Sequence, residues 1–248
     1  MTDVLTAVVT GAGTGIGRAC AELLGSRGLH VICAGRTSDT LDEAAAASGN
    51  AIAVVADVAT EAGRATVVAA ATGHQVTAFI HAAGADLAKP FVETTADELD
   101  YLLDVNIRAP FLLTQRLLPM LTDGAGVVYV GSVSAVRGRD RHAAYGASKA
   151  ALIGLVSNLA VELGPRVRVN CVSPGATRTG MLRSFIKQST AGYTPEQLER
   201  IGIADASRMP LRRVAEPREV AMSVIHLALD ATATTGVDLA VDVGYTAS

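Results

Sequence analysis

The sequence predicts an α/β fold with one parallel sheet of about seven strands and helices on both faces. Two features carry that expectation. Short β-branched runs alternate along the whole chain with Ala- and Leu-rich stretches of helical length. The runs are also apolar throughout rather than alternately polar, as strands covered on both faces require. The composition agrees: 248 residues, 50% hydrophobic and 18% charged, with a mean hydropathy of +0.35, are too apolar for a disordered chain. A chain of this length can bury about 70–75% of its unfolded surface in one core.

The strand-like runs fall at 5–10, 30–34, 51–56, 76–81, 127–131, 167–172 and 237–241. Helical stretches start near Gly15, Thr40, Thr60, Thr95, Ala143 and Pro217. Thr95 with Glu98 and Thr40 with Glu43 have the spacing of capping boxes, and Pro217 suits a first helical position. Gly49 and Gly164 stand where helices should stop. No repeat or low-complexity linker interrupts the alternation, so one domain over 1–248 is expected. The stretch at about 180–213 breaks the rhythm with mixed charge, aromatics and Met, and reads as a lid between the sixth and seventh strands.

Several function classes are disfavoured. Lys and Arg number 21 against 24 Asp and Glu, leaving no polybasic footprint for nucleic acid. Cys20, Cys33 and Cys171 lie far apart, without CxxC spacing or a neighbouring His, so neither a disulfide framework nor a metal site is expected. That usage suits a reducing compartment. The start, Met1-Thr2-Asp3, lacks the charge pattern of a signal peptide, and no apolar run approaches the ~20 residues of a bilayer span. A cytoplasmic protein without membrane partners is the expectation.

The first chemical signal follows the first strand: Thr10-Gly11-Ala12-Gly13-Thr14-Gly15-Ile16-Gly17. A glycine-rich strand-to-helix turn lets the backbone approach a pyrophosphate, and the helix N-terminus offers free N–H groups to the anion. A glycine cluster alone also fits an ordinary turn, but its place after strand one favours a dinucleotide. Further along, Tyr145 and Lys149 stand four apart and share one helix face. Taken by themselves they fit a surface pair as well.

Together these residues resemble the short-chain dehydrogenase/reductases, in the single-domain branch of about this length. Thr10-Gly-x-x-x-Gly15-x-Gly17 is similar to that family's cofactor fingerprint. Asp57-Val58 resembles its adenine-contacting position and Ala82-Ala83-Gly84 the end of its NNAG signature. Asn106 resembles the helix asparagine, Ser132 the strand-end serine, and Tyr145-Gly-Ala-Ser-Lys149 the Tyr/Lys pair. Pro174-Gly175-Ala-Thr177-Arg-Thr179 follows the sixth strand, as in the family. The resemblance implies a doubly wound Rossmann fold and hydride transfer between a nicotinamide cofactor and a carbonyl carbon.

It also implies roles. Tyr145 would be the general acid/base, its phenol, ordinarily near pKa ~10, lowered by the Lys149 ammonium. Lys149 would in addition bind the nicotinamide ribose. Ser132, rather than Ser134, would polarise the substrate oxygen. Asn106 would support a water-linked relay to Lys149, although an Asn at a helix break fits the residue equally well. His81 stands where relatives carry the first Asn of NNAG, and a structural hydrogen-bonding role is expected for it. Val243 departs from the two glycines that relatives often show near the C-terminus.

Cofactor choice turns on the end of strand two. Gly35 leaves it without a carboxylate, and Arg36 can clasp a 2′-phosphate, so NADP(H) is expected over NAD(H). Thr14 weighs the other way, since many NADP-dependent relatives carry a second basic residue there. Arg137, Arg139, Arg141, Arg183 and Lys187 could greet an anionic substrate, but most are expected to be solvated. The motif set implies a small-molecule or acyl-thioester carbonyl substrate, 3-oxoacyl-carrier-protein reductases being the most similar group. Arg166 suits one carrier-docking position, and Asp123 contradicts the other. A reductase or dehydrogenase of a free ketone or alcohol stays open, and a non-catalytic dinucleotide sensor is a remote alternative. The helix after Tyr145 and a second surface at 217–229 and 237–241 are apolar beyond one buried stripe. In the proteins this sequence resembles such surfaces pair about two-fold axes, which implies a homotetramer or homodimer.

Overall fold

The computed structural model describes residues 4–190 and 209–247. Seven strands form one sheet in the order β3-β2-β1-β4-β5-β6-β7, with every neighbouring pair parallel. They are β1 (Thr6–Thr10), β2 (His30–Gly35), β3 (Ala51–Val55), β4 (Val76–His81), β5 (Leu121–Val130), β6 (Val167–Pro174) and β7 (Asp238–Val241). The chain order reverses between β1 and β4, which opens a crevice at their carboxyl ends. The central strands are buried on both faces, which explains their unbroken apolar runs.

Helices α1 (Gly15–Ser26), α2 (Ser38–Ser48) and α8 (Pro217–Ile225) cover one face through Leu24, Leu41 and Val224. Helices α3 (Glu61–Ala71), α5 (Ala109–Leu117) and α6 (Ala143–Leu163) cover the other through Val67, Leu113 and Leu152. A short α4 (Ala96–Leu103) runs through a π-helical turn, Asp104–Arg108, into α5.

The end signals divide. The Thr95–Glu98 capping box is present, Thr60 accepts from the Gly63 N–H, and Gly49 ends α2 at φ +80°. Pro217 sits in the first turn of α8, where Glu216 and Glu219 form a second capping box. The expected Thr40–Glu43 box is corrected. The helix starts two residues earlier, after Thr37; Thr40 Oγ1 donates to the Thr37 carbonyl, and Glu43 pairs with Arg18 instead. The fifth strand also starts earlier than expected, at Leu121, because its polar opening segment lies beside β4 through a register shift.

By length and composition alone, α6 is the one helix among the described residues that could cross a membrane. Its inner residues Leu152 and Val156 pack against the sheet, and it carries Tyr145 and Lys149. Of the expected lid, α7 (Gly180–Thr190) is a helix and 191–208 lie outside the described residues. The chain returns at Met209, where Leu211 N–H donates to the Val243 carbonyl. Val243 adopts φ +54°, a conformation glycine takes freely and a β-branched residue rarely does. That is the physical reason a glycine suits this position.

Candidate active site

The glycine-rich turn is built for backbone contact. An added Cβ at Gly11 would meet the Ala83 nitrogen at 2.6 Å, and one at Gly17 the Gly11 carbonyl oxygen at 2.2 Å. Side chains there would push β1, β4 and α1 apart. Thr14 caps α1 in extended conformation with its side chain making no cap hydrogen bond, so the first-turn N–H groups face outward. Gly13, Gly15 and Ile16 complete the turn and line the same cavity.

That cavity runs along the carboxyl ends of the strands. Arg36, Asp57, Val58, Ala82, Ala83 and Gly84 line it from β2, β3 and β4. Pro174, Gly175, Thr177 and Thr179 line it after β6, and Ser132, Tyr145 and Lys149 line it as well. Arg36 is exposed and donates from Nη1 to the Tyr101 hydroxyl at 2.9 Å. Asp57 accepts the Ala59 N–H on one carboxylate oxygen, closing the turn before α3. Thr179 accepts the Leu182 N–H and so caps α7, tying that helix to the cavity wall. Among the residues expected to act in catalysis or to bind the cofactor, Asn106 alone does not line the cavity.

Asn106 lies in the π-helical turn and is fully buried. Its amide donates to the Ala85 carbonyl and to Ser148 Oγ at 3.0 and 2.9 Å, and its oxygen accepts the Ala85 N–H at 3.0 Å. These bonds pin the loop after β4 to α6. Ser148, which the spacing did not single out, is part of this clamp.

The candidate reacting groups line one cavity. Tyr145 and Ser132 are hydrogen-bonded through their hydroxyls, and Ser132 Oγ also accepts the Ser134 N–H at 3.1 Å. Ser132 and not Ser134 meets the phenol. Burial pushes the Tyr145 phenol above its ordinary value; the Ser132 hydrogen bond and the Arg139 charge oppose this, and the Asp86 charge adds to it. The expected lowering by Lys149 is thus not what governs this phenol. Lys149 donates from Nζ to the Val130 carbonyl at 2.9 Å, and Nζ lies 6.0 Å from the Tyr145 ring centre. Burial pushes its ammonium down to about 8.

His81 is structural, as its position suggested. It is buried, with Nδ1 2.9 Å from the Thr10 hydroxyl and Nε2 3.3 Å from the Val105 carbonyl. Burial and the Lys149 charge push it down to about 3, so it is neutral near pH 7.

Several lining residues escaped sequence reasoning. Met181, Leu182 and Phe185 present an apolar wall from α7. His142 and Asp86 flank Tyr145, and Arg139 stacks its guanidinium 4.9 Å from the Phe185 ring. Of the five cations considered for an anionic substrate, Arg139 alone lines the cavity among the described residues. Spacing from Tyr145 could have flagged His142, three residues before it; Asp86 had no motif to announce it.

Comparison with known proteins agrees with this geometry. A family model described as enoyl-(acyl carrier protein) reductase matches residues 11–246. A 2,5-dichloro-2,5-cyclohexadiene-1,4-diol dehydrogenase of Sphingobium indicum is 35% identical over 251 residues, covering 98% of this chain and 97% of that protein. A structure assigned as an NAD(P)-dependent gluconate 5-dehydrogenase of Beutenbergia cavernae, with NADP at low occupancy, is 35% identical with a TM-score of 0.82. The alignment spans 100% of this chain and 98% of that one. The short-chain dehydrogenase/reductase of Serratia marcescens is 29% identical with a TM-score of 0.84, over 99% and 98% of the two chains. With its parallel seven-stranded sheet and these full-length relatives, the chain is an oxidoreductase of the short-chain dehydrogenase/reductase family.

Proposed function

We propose that the protein interconverts a ketone and a secondary alcohol with NADP(H), and that Tyr145 delivers the proton in the reducing direction. The observation that carries this is that Ser132, Tyr145 and Lys149 line the same cavity as the glycine-rich turn. When bound, the nicotinamide supplies the hydride. A phenol held above its ordinary value is protonated near neutral pH and acts as an acid, which suits donation to a carbonyl oxygen becoming an alkoxide. Ser132 orients that oxygen, and Lys149, poised near 8, carries charge beside the ribose position.

The residues fit the cofactor. Gly11 and Gly17 leave room where a Cβ would fill the cradle, and the N-terminus of α1 offers N–H groups to a pyrophosphate. Gly35 and the exposed Arg36 support NADP(H) over NAD(H), because no carboxylate repels a 2′-phosphate there.

For the substrate, the geometry supports a free ketone or alcohol over a carrier-bound acyl thioester. Arg166, considered for carrier docking, donates to the Leu118 and Leu121 carbonyls and faces Asp123 at 3.4 Å. That pairing neutralises the charge a carrier would meet. The reaction reading is tested with Tyr145→Phe, which removes the transferable proton and keeps the ring. NADPH-dependent turnover on a panel of ketones should fall by about 10²–10⁴-fold. NADPH binding, read by fluorescence, should persist. A variant keeping a tenth of the wild-type rate overturns the assignment.

A further inference from the structure

Asp86 stands two residues past Gly84, in the loop that follows β4, and its side chain lines the catalytic cavity beside Tyr145. One carboxylate oxygen is engaged by its own backbone N–H. The other, Oδ2, is buried and has no hydrogen-bond partner among the described residues. A carboxylate oxygen shut away from water without a donor is costly, and such an orphan needs an explanation. Nothing among the described residues uses it. The loop itself is held by Asn106 through both backbone groups of Ala85, so Asp86 is presented from a fixed backbone while its terminal torsion stays soft.

The chemistry of the neighbours narrows what can meet it. Ser132 and Tyr145 are the groups that take the reacting oxygen, and a ketone oxygen is an acceptor that can do nothing for Asp86. His142 adds a second acceptor: its Nδ1–H donates to the Asp140 carbonyl at 2.6 Å, which leaves Nε2 with a lone pair. A cationic donor would share the cavity with Arg139 and Lys149. A neutral O–H satisfies the acceptors without that repulsion. We propose that Asp86 is a specificity-determining residue whose unpartnered oxygen accepts a hydrogen bond from a hydroxyl carried next to the reacting carbon, so that hydroxy ketones and vicinal diols are the preferred substrate class. The inference rests on the ketone–alcohol reading above and deepens it.

The test compares matched probes with the full-length enzyme and NADPH: 3-hydroxybutan-2-one against butan-2-one, and 2-hydroxycyclohexanone against cyclohexanone. A pantetheine 3-oxobutanoyl thioester is the third arm. Wild type should favour each hydroxy ketone in kcat/KM, and Asp86→Leu should lower that preference by about 10- to 100-fold, the range for losing a charge-assisted hydrogen bond. Asp86→Asn, which keeps shape and one acceptor, should fall between. Any effect of Asp86 on the Tyr145 phenol acts on both members of a pair and cancels in the ratio. A wild-type preference below threefold, a ratio unchanged in Asp86→Leu, or a thioester favoured tenfold over the hydroxy ketones overturns the proposal. If wild type reduces none of the probes, the activity reading fails separately. Titration of the NADPH complex with cyclohexane-1,2-diol and cyclohexanol then still decides Asp86: equal affinities, or a diol preference surviving in Asp86→Leu, refute its role.

Discussion

Arg36 reaches its place at the cavity rim because β2 ends at Gly35 and α2 begins at Ser38, leaving only a short exposed turn between them. Its Nη1 is held by the Tyr101 hydroxyl, so the guanidinium is oriented before any phosphate arrives. Arg36→Ala should weaken NADPH binding by about 10- to 100-fold, as expected for one charge-assisted contact. NADH binding should change far less, and fluorescence titration of both cofactors checks this. Equal losses would remove Arg36 from the 2′-phosphate role. Much of the chemistry at this scale was legible because motif residues keep fixed spacing on known elements, as Tyr145 and Lys149 do on α6. Asp86 was not legible, because a buried orphan oxygen is a property of three-dimensional neighbours. Nor was the rise of the Tyr145 phenol, which depends on how much water the surrounding elements exclude.

Between elements, His81 is the joint. It links β1 through Thr10, its own β4, and the π-helical turn through the Val105 carbonyl, one residue before Asn106. The resemblance predicted an asparagine-like backbone contact, and the imidazole makes one to a turn farther away. The π-helical turn itself left no sequence mark, since an extra residue in a helix changes no local pattern. The false Thr40–Glu43 box failed for a related reason: the same spacing recurs inside a helix, and only the position of the preceding turn decides which Thr caps. His81 makes a pH prediction. Its folded value of about 3 lies below the ~6.5 of an unfolded histidine, so its contribution is complete above about pH 6.5. As pH falls from there toward 3 the unfolded chain binds the proton first and that stability is lost. Urea unfolding at pH 7, 5.5 and 4.5 should show wild type losing up to about 1.4 kcal/mol per pH unit more than His81→Asn. Parallel pH profiles would contradict a buried neutral imidazole.

The parallel sheet and both helical layers follow from the alternation of the chain, because a parallel connection needs a helix and a helix needs a covered face. What the alternation does not determine is the outer face of α6. Leu152 and Val156 face the sheet, whereas Ala147, Ala150, Ala151 and Gly154 are exposed and Val161 is 83% exposed. On α8 and on the edge strand β7, Met222 and Leu239 are 60% and 38% exposed. A helix that only covered the sheet would gain solubility from polar residues on its outer face. Two such apolar surfaces instead suit pairing about two-fold axes, as a dimer or as a tetramer with dihedral symmetry. Small residues on α6 would let two copies of the helix approach closely. The Gly154 position separates this assembly from protomer folding, since an added Cβ there meets nothing within 4 Å. Gly154→Glu should therefore leave the protomer folded by circular dichroism while placing a charge in the helix pair. Light scattering on wild type should give two or four times the 25.4 kDa of one chain, and Gly154→Glu should shift the mass downward. A wild-type species of 25.4 kDa that is stable and active at micromolar concentration would show that α6 does no more than cover its own sheet.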